Sequence, residues 1–215
     1  MRSSLLTIPV VLALAGLLAA QGNPSSFING REHGGEALTG DLPGSEHVQN
    51  TGSRVDGRGM CVMSSLEMAA RWQGLEQLRG LRDWCATQPG GAYPGKVDRQ
   101  IRDFCRSRGV PMPAYLQYEG RNPGPLLELC EKTGRMACIT YGRSPRYGGP
   151  IAHMVCCAKY GDRWAVVLDN NFPGERSYEW MPRDEILRRI GHPDGNAWIF
   201  VWLAPPPPPS PRNTP

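Results

Sequence analysis

Apolar positions recur at helical spacing in the first half of the chain and at strand spacing in the second. From Met60 to Trp72, Val62, Leu66, Ala69 and Gln73 fall on one stripe with Met63 and Ala70 beside it, and Gly74 is a stop. Leu75–Cys85 repeats the pattern. Lys96–Arg108 does so on Val97, Ile101, Phe104 and Cys105, closed by Gly109, and Leu126–Thr133 is a short fourth helix. The second half carries short runs rich in Val, Ile, Cys and aromatics: Arg135–Tyr141, His153–Tyr160, Trp164–Asp169, Tyr178–Met181 and Ala197–Leu203. Tyr160-Gly161-Asp162-Arg163 reads as a hairpin turn between two of them. One helix, Arg183–Ile190, interrupts the strands after Pro182. Helices first and a mainly antiparallel sheet second define an α+β chain, with a cleft expected where the halves meet.

The ends depart from this pattern. Arg2 followed by the sixteen apolar residues Leu5–Ala20 reads as a secretory signal, too short for a membrane span and interrupted by Pro9. Residues 21–52, rich in Gly, Ser, Asn and Pro, read as a linker or a draped N-terminal arm. The tail 205–215 contains five consecutive prolines and can enter neither a helix nor an inner strand. One domain, 53–204, remains. The expected location is secreted or periplasmic, with no membrane contact after signal cleavage.

Charge narrows the partners. The 215 residues carry a formal net charge of +4, with 24 basic and 20 acidic side chains interspersed and no basic run. So even a field does not hold a phosphate backbone, and nucleic acid is not expected. No HExxH, paired CxxC or Walker loop occurs, so neither a metal nor another cofactor is expected. Seven cysteines leave at least one thiol unpaired in an oxidising compartment. Cys85 with Cys105 and Cys130 with Cys138 are candidate bridges. The adjacent Cys156 and Cys157 point to opposite faces of a strand. Trp164, Trp180, Trp198 and Trp202 read as core, with Trp180 alternatively covering a site.

Three residues in order suggest chemistry. In Gly57-Arg58-Gly59-Met60-Cys61-Val62, two glycines lead into a helix whose first turn holds Cys61. Unpaired N–H groups and the helix dipole there favour thiolate over thiol. A nucleophilic cysteine needs an imidazole. Of the four histidines, His33 and His47 lie in the linker and His192 in a turn, whereas His153 heads an apolar strand. Asp169, sixteen residues on across the hairpin, can fix the ring's tautomer, and Asn170 or Asn171 can do so with a neutral amide.

Cys at a helix start, His at a strand, Tyr-Gly at a turn and Asp at this interval resemble papain-like cysteine peptidases over residues 53–203. The Asp and the 92-residue step from Cys61 to His153 look more like the bacterial C39-type peptidases. The resemblance implies a helical lobe packed on a sheet lobe, a peptide or protein substrate and a Cys-His-Asp triad acting through a thioester. In such families a Gln about six positions before the nucleophile donates to the oxyanion. Here that position is Val55, leaving Gln49, Asn50, Arg54 and Arg58 as candidate donors. A transglutaminase-like acyl transferase or amidase, and an inactive domain of the same fold that binds a partner, are the alternatives.

Overall fold

A computed structural model of the chain describes residues 29–191 and 196–207. The signal segment, His192 and the tail from 208 lie outside the described residues. In chain order the elements are β1 (Glu32–His33), β2 (Glu36–Ala37), α1 (Cys61–Trp72), α2 (Leu81–Cys85), α3 (Val97–Arg108), β3 (Tyr115–Gly120), α4 (Gly124–Lys132), β4 (Ala137–Ser144), β5 (Gly149–Tyr160), β6 (Trp164–Leu168), β7 (Tyr178–Pro182), α5 (Arg183–Arg189) and β8 (Ala197–Trp202).

Helix α1 is apolar almost all round, and every residue from Val62 to Ala70 is buried, as befits a helix enclosed by the rest of the chain. Its one carboxylate, Glu67, accepts hydrogen bonds from the backbone N–H of Gly80 (3.0 Å) and Arg82 (2.8 Å) and pairs with Arg71 at 2.6 Å. Those two N–H groups belong to the start of α2, so Glu67 caps its neighbour from the side. This explains why the helix expected over Leu75–Cys85 is broken. A 3₁₀ turn covers Glu76–Leu78, Gly80 takes a left-handed φ of 85°, and α2 begins after it.

The strands form one six-stranded sheet in the order β3-β8-β4-β5-β6-β7, antiparallel throughout. Strand β3 was not foreseen. It is an edge strand of mixed polarity that follows Pro111 and Pro113, so it lacks the apolar run that marks the inner strands. Alternation along β5 divides the core in two. Met154, Cys156 and Ala158 join the residues of α1, α2 and α3, whereas Val155 and Cys157 join Leu127 of α4 and Ile186 of α5. Trp180, Trp198 and Trp202 are buried in the first cluster, with Trp164 packed against it. Trp202 Nε1 donates to Leu66 O (2.9 Å) and Gln73 Nε2 donates to Trp202 O (2.9 Å), which ties α1 to β8 at two levels.

The same division corrects the expected bridges. Cys130 and Cys138 lie in different clusters on opposite sides of the sheet, so their sulfurs cannot meet. Cys85 and Cys105 share a cluster but are free thiols, and so are all seven cysteines.

Residues 29–52 follow the sheet as a draped arm. Leu42 and Val48 are buried in the core, His33 sits edge-on to Trp164 at 4.2 Å, and Trp180 Nε1 donates to Gly30 O at 2.7 Å. That bond commits Trp180 to the arm and not to a site.

One buried ion pair braces the strand beside the candidate base. Arg189 and Glu179 are at most 1% exposed and lie 2.8 Å apart, and Arg189 also donates to the hydroxyl of Tyr141 at 2.8 Å. Tyr141 is the cross-strand partner of His153. Replacing Arg189 by Met would leave the Glu179 carboxylate uncompensated, at a cost of about 3–5 kcal/mol. Urea unfolding of the variant should show that loss; a change below about 1 kcal/mol would refute the bracing role.

Candidate active site

The segment before α1 is folded back on itself. Gly52 bridges Gly59, Ser53 N donates to Arg58 O at 2.8 Å, and Gly57 turns the chain with a φ of 71°. Residues 53–58 are therefore an excursion, and Val55 is 57% exposed on it. The chain that meets α1 in space is 50–51. Met60 N donates to both Thr51 O and Asn50 Oδ1, each at 2.9 Å. Cys61 follows as the first residue of α1, where the N–H groups of the opening turn have no partner within the helix. It is half-buried, unlike the other six cysteines, which are all buried.

His153 lies within β5, which already begins at Gly149, so the histidine expected at a strand head is an internal residue. The register of the β5–β6 hairpin aligns Cys156 with Leu168, which carries the residues after β6 back alongside His153. His153 Nε2 bonds Asp169 Oδ1 at 2.9 Å. Cys61 is a further electrostatic partner of the same ring. With Nε2 committed to the carboxylate, Nδ1 is the nitrogen left for the sulfur. Burial favours the neutral ring, but the bonds to Asp169 and Cys61 outweigh it and raise the pKa of His153 to about 9.

Asp169 is fully buried and meets three donors. Besides His153, Asn171 N donates to Oδ1 (3.0 Å) and the Tyr147 hydroxyl to Oδ2 (2.8 Å). Burial pushes the carboxyl pKa up; the donors, His153 foremost, bring it below its ordinary value. Asp169 is thus the residue of 169–171 that holds the imidazole. The Asn170 amide faces Cys61 O (3.1 Å), Ser65 Oγ (2.9 Å) and Met154 O (3.0 Å), clamping α1 to β5. The Asn171 side chain donates to the Tyr147 hydroxyl at 2.9 Å and accepts from Asn50 Nδ2 at 2.9 Å.

The four amide and guanidinium candidates separate clearly. Gln49 Nε2 is spent on Phe172 O at 3.2 Å. Arg54 and Arg58 are exposed on the excursion, and Arg58 lies 4.0 Å from Asp56. Asn50 alone has its side chain bonded at the start of α1.

Tyr147 escaped the sequence reading. Its one signal is an aromatic residue shortly before His153 in a Gly-rich loop. Its ring lies 5.7 Å from that of His153 and 5.8 Å from that of Phe172, and the Arg146 guanidinium stacks on Phe172 at 3.7 Å. Among the described residues, no group of three His, Cys, Asp or Glu side chains converges as for a metal ion.

The raised pKa of His153 has a definite sign in stability. An imidazolium favoured by folding contributes fully below its unfolded pKa near 6.5, and the contribution is lost as pH rises through about 9. Urea unfolding at pH 6.5 and 9.5 should show wild-type stability falling more than that of Asp169→Asn. Equal falls would mean that the carboxylate does not hold the charged ring.

No family model matches the chain, and no curated protein matches it. Among solved structures, the chain is similar to a double glycine motif protease from an AMS/PCAT transporter, crystallised in complex with the leader peptide. The two share 19% identity at a TM-score of 0.38, over 66% of this chain and 84% of that one.

Proposed function

We propose that this protein is an exported papain-like cysteine peptidase of the C39-like type, with Cys61 as nucleophile, His153 as base and then acid, and Asp169 as the group orienting His153. The observation that carries the reading is the imidazole bonded to a buried carboxylate, with a half-buried thiol at a helix start as its electrostatic partner. A charged ring beside Cys61 favours the thiolate, the form that attacks carbonyl carbon. The sulfur adds to the scissile carbonyl, His153 protonates the leaving amine, and water deprotonated by His153 then opens the thioester. The peptide lies in a cleft between the α1 side and the sheet side. Export rests on the apolar N-terminal run.

The oxyanion is received by the Cys61 N–H and by the Asn50 amide, whose Nδ2 keeps a second hydrogen beyond the one given to Asn171. Fold-back of 53–58 gives Asn50 the place that linear spacing assigns to Val55. An acyl transferase would share every step to the thioester and differ in the acceptor, an amine instead of water.

Iodoacetamide at pH 6 should alkylate Cys61 at least tenfold faster than any other thiol, and His153→Ala should remove that preference. Uniformly slow labelling of the wild type would overturn the reading in favour of a binding domain. With a cleavable peptide in hand, Asn50→Ala should lower kcat by roughly 10²–10³. Incorporation of an amine without peptide hydrolysis would assign the transferase instead.

A further inference from the structure

The residues around the triad form a closed circuit. Met60 N–H donates to Asn50 Oδ1 (2.9 Å), Asn50 Nδ2 to Asn171 Oδ1 (2.9 Å), Asn171 Nδ2 to Tyr147 Oη (2.9 Å), and Tyr147 Oη–H to Asp169 Oδ2 (2.8 Å). Asp169 Oδ1 then accepts from His153 Nε2 at 2.9 Å, and Cys61, the residue next to Met60, is an electrostatic partner of His153. The direction of every bond is forced from the two ends. A backbone N–H can only donate, so Asn50 must present its oxygen to Met60. A carboxylate can only accept, so Tyr147 must spend its proton on Asp169. Between these ends both amides have one self-consistent orientation, and all four bonds point the same way, from the start of α1 toward the carboxylate. Bonds aligned in this manner polarise one another.

We propose that Tyr147 and Asn171 are positioning residues: with the Asn50 side chain they form a hydrogen-bond ring through the triad whose two arms, four links from Met60 and the one from His153, converge on Asp169 and so hold His153 in register with Cys61. The inference rests on the thiolate–imidazolium reading given above. The ring draws its members from five places in the chain: the N-terminal arm, the loop between β4 and β5, β5 itself, the segment after β6, and the start of α1. Because these links join Met60 to His153, the start of α1 cannot drift from the imidazole without stretching at least one of them. Tyr147 matters most. Asp169 is fully buried, and losing the hydroxyl would leave Oδ2 without its donor. A freed carboxylate can rotate away from Nε2, and the imidazolium then loses its partner. Asn171 is exposed, so its truncation tests the ring with little risk to folding.

The test is the ratio of Cys61 alkylation rates by iodoacetamide at pH 6 and pH 9.5. At pH 6 a cysteine without an imidazolium partner reacts slowly, whereas at pH 9.5 any accessible cysteine reacts, so a general loosening of the structure would not change the ratio in this direction. Tyr147→Phe should lower the ratio three- to tenfold, and Asn171→Ala two- to threefold. If Tyr147→Phe fails to fold, Asn171→Ala decides. Variants that alkylate with the wild-type ratio would overturn the ring while leaving the peptidase reading intact. A wild type without fast alkylation at pH 6 would remove the peptidase reading, and the ring with it.

Discussion

The bond between Asp169 and His153 is the constraint around which the rest is arranged. A carboxylate with no exposure to water is unfavourable unless donors replace its hydration. Three donors do so, from β5, from the loop before it and from the backbone two residues on. Meeting that requirement fixes the pairing of β5 with β6, the path of the loop bearing Tyr147 and the turn at 169–171. The carboxylate, together with Cys61, raises the pKa of the imidazole to about 9 and so favours its charged form.

Much of this was legible in the sequence where local pattern and final contact coincide. The helical stripe from Met60 to Trp72, the hairpin turn at Tyr160–Arg163 and the pairing of His153 with Asp169 all follow from residues near one another in the chain or joined by a single hairpin. The misses share a different cause. Edge strand β3 is stabilised by pairing with β8, not by an apolar run of its own. The helix expected over 75–85 is interrupted because Glu67, a turn and more away, takes the N–H groups of Gly80 and Arg82. Tyr147 makes its hydrogen bonds with Asp169 and Asn171, neither of them local to it.

Linear spacing misleads most at residues 52–59. Counting back from Cys61 reaches Val55, an exposed apolar residue that can donate nothing from its side chain. The bridge between Gly52 and Gly59 removes that excursion from the path, and Asn50 arrives at Met60 instead. An offset counted along a chain measures distance only when the backbone between its ends is of fixed shape. Under the proposed function, the lack of an amide at 55 is therefore no argument for a dead site.

The seven thiols complete the argument from environment. Burial pushes Cys85 and Cys130 up to about 12, and Cys105, Cys138 and Cys157 are also shifted upward, each chiefly by the loss of water around a would-be thiolate. Such sulfurs behave as small apolar side chains, and the sheet keeps Cys130 from Cys138 and Cys156 from Cys157 by placing them on opposite faces. Cys61 has the reverse surroundings: partial access to solvent, unpaired N–H groups at the opening of α1 and, as an electrostatic partner, an imidazole whose pKa is raised. One chemical group thus has two settings in the same molecule, filling the core at six positions and, under the proposed function, offering a nucleophile at the seventh. The local electrostatic environment, not the residue type, separates the two uses.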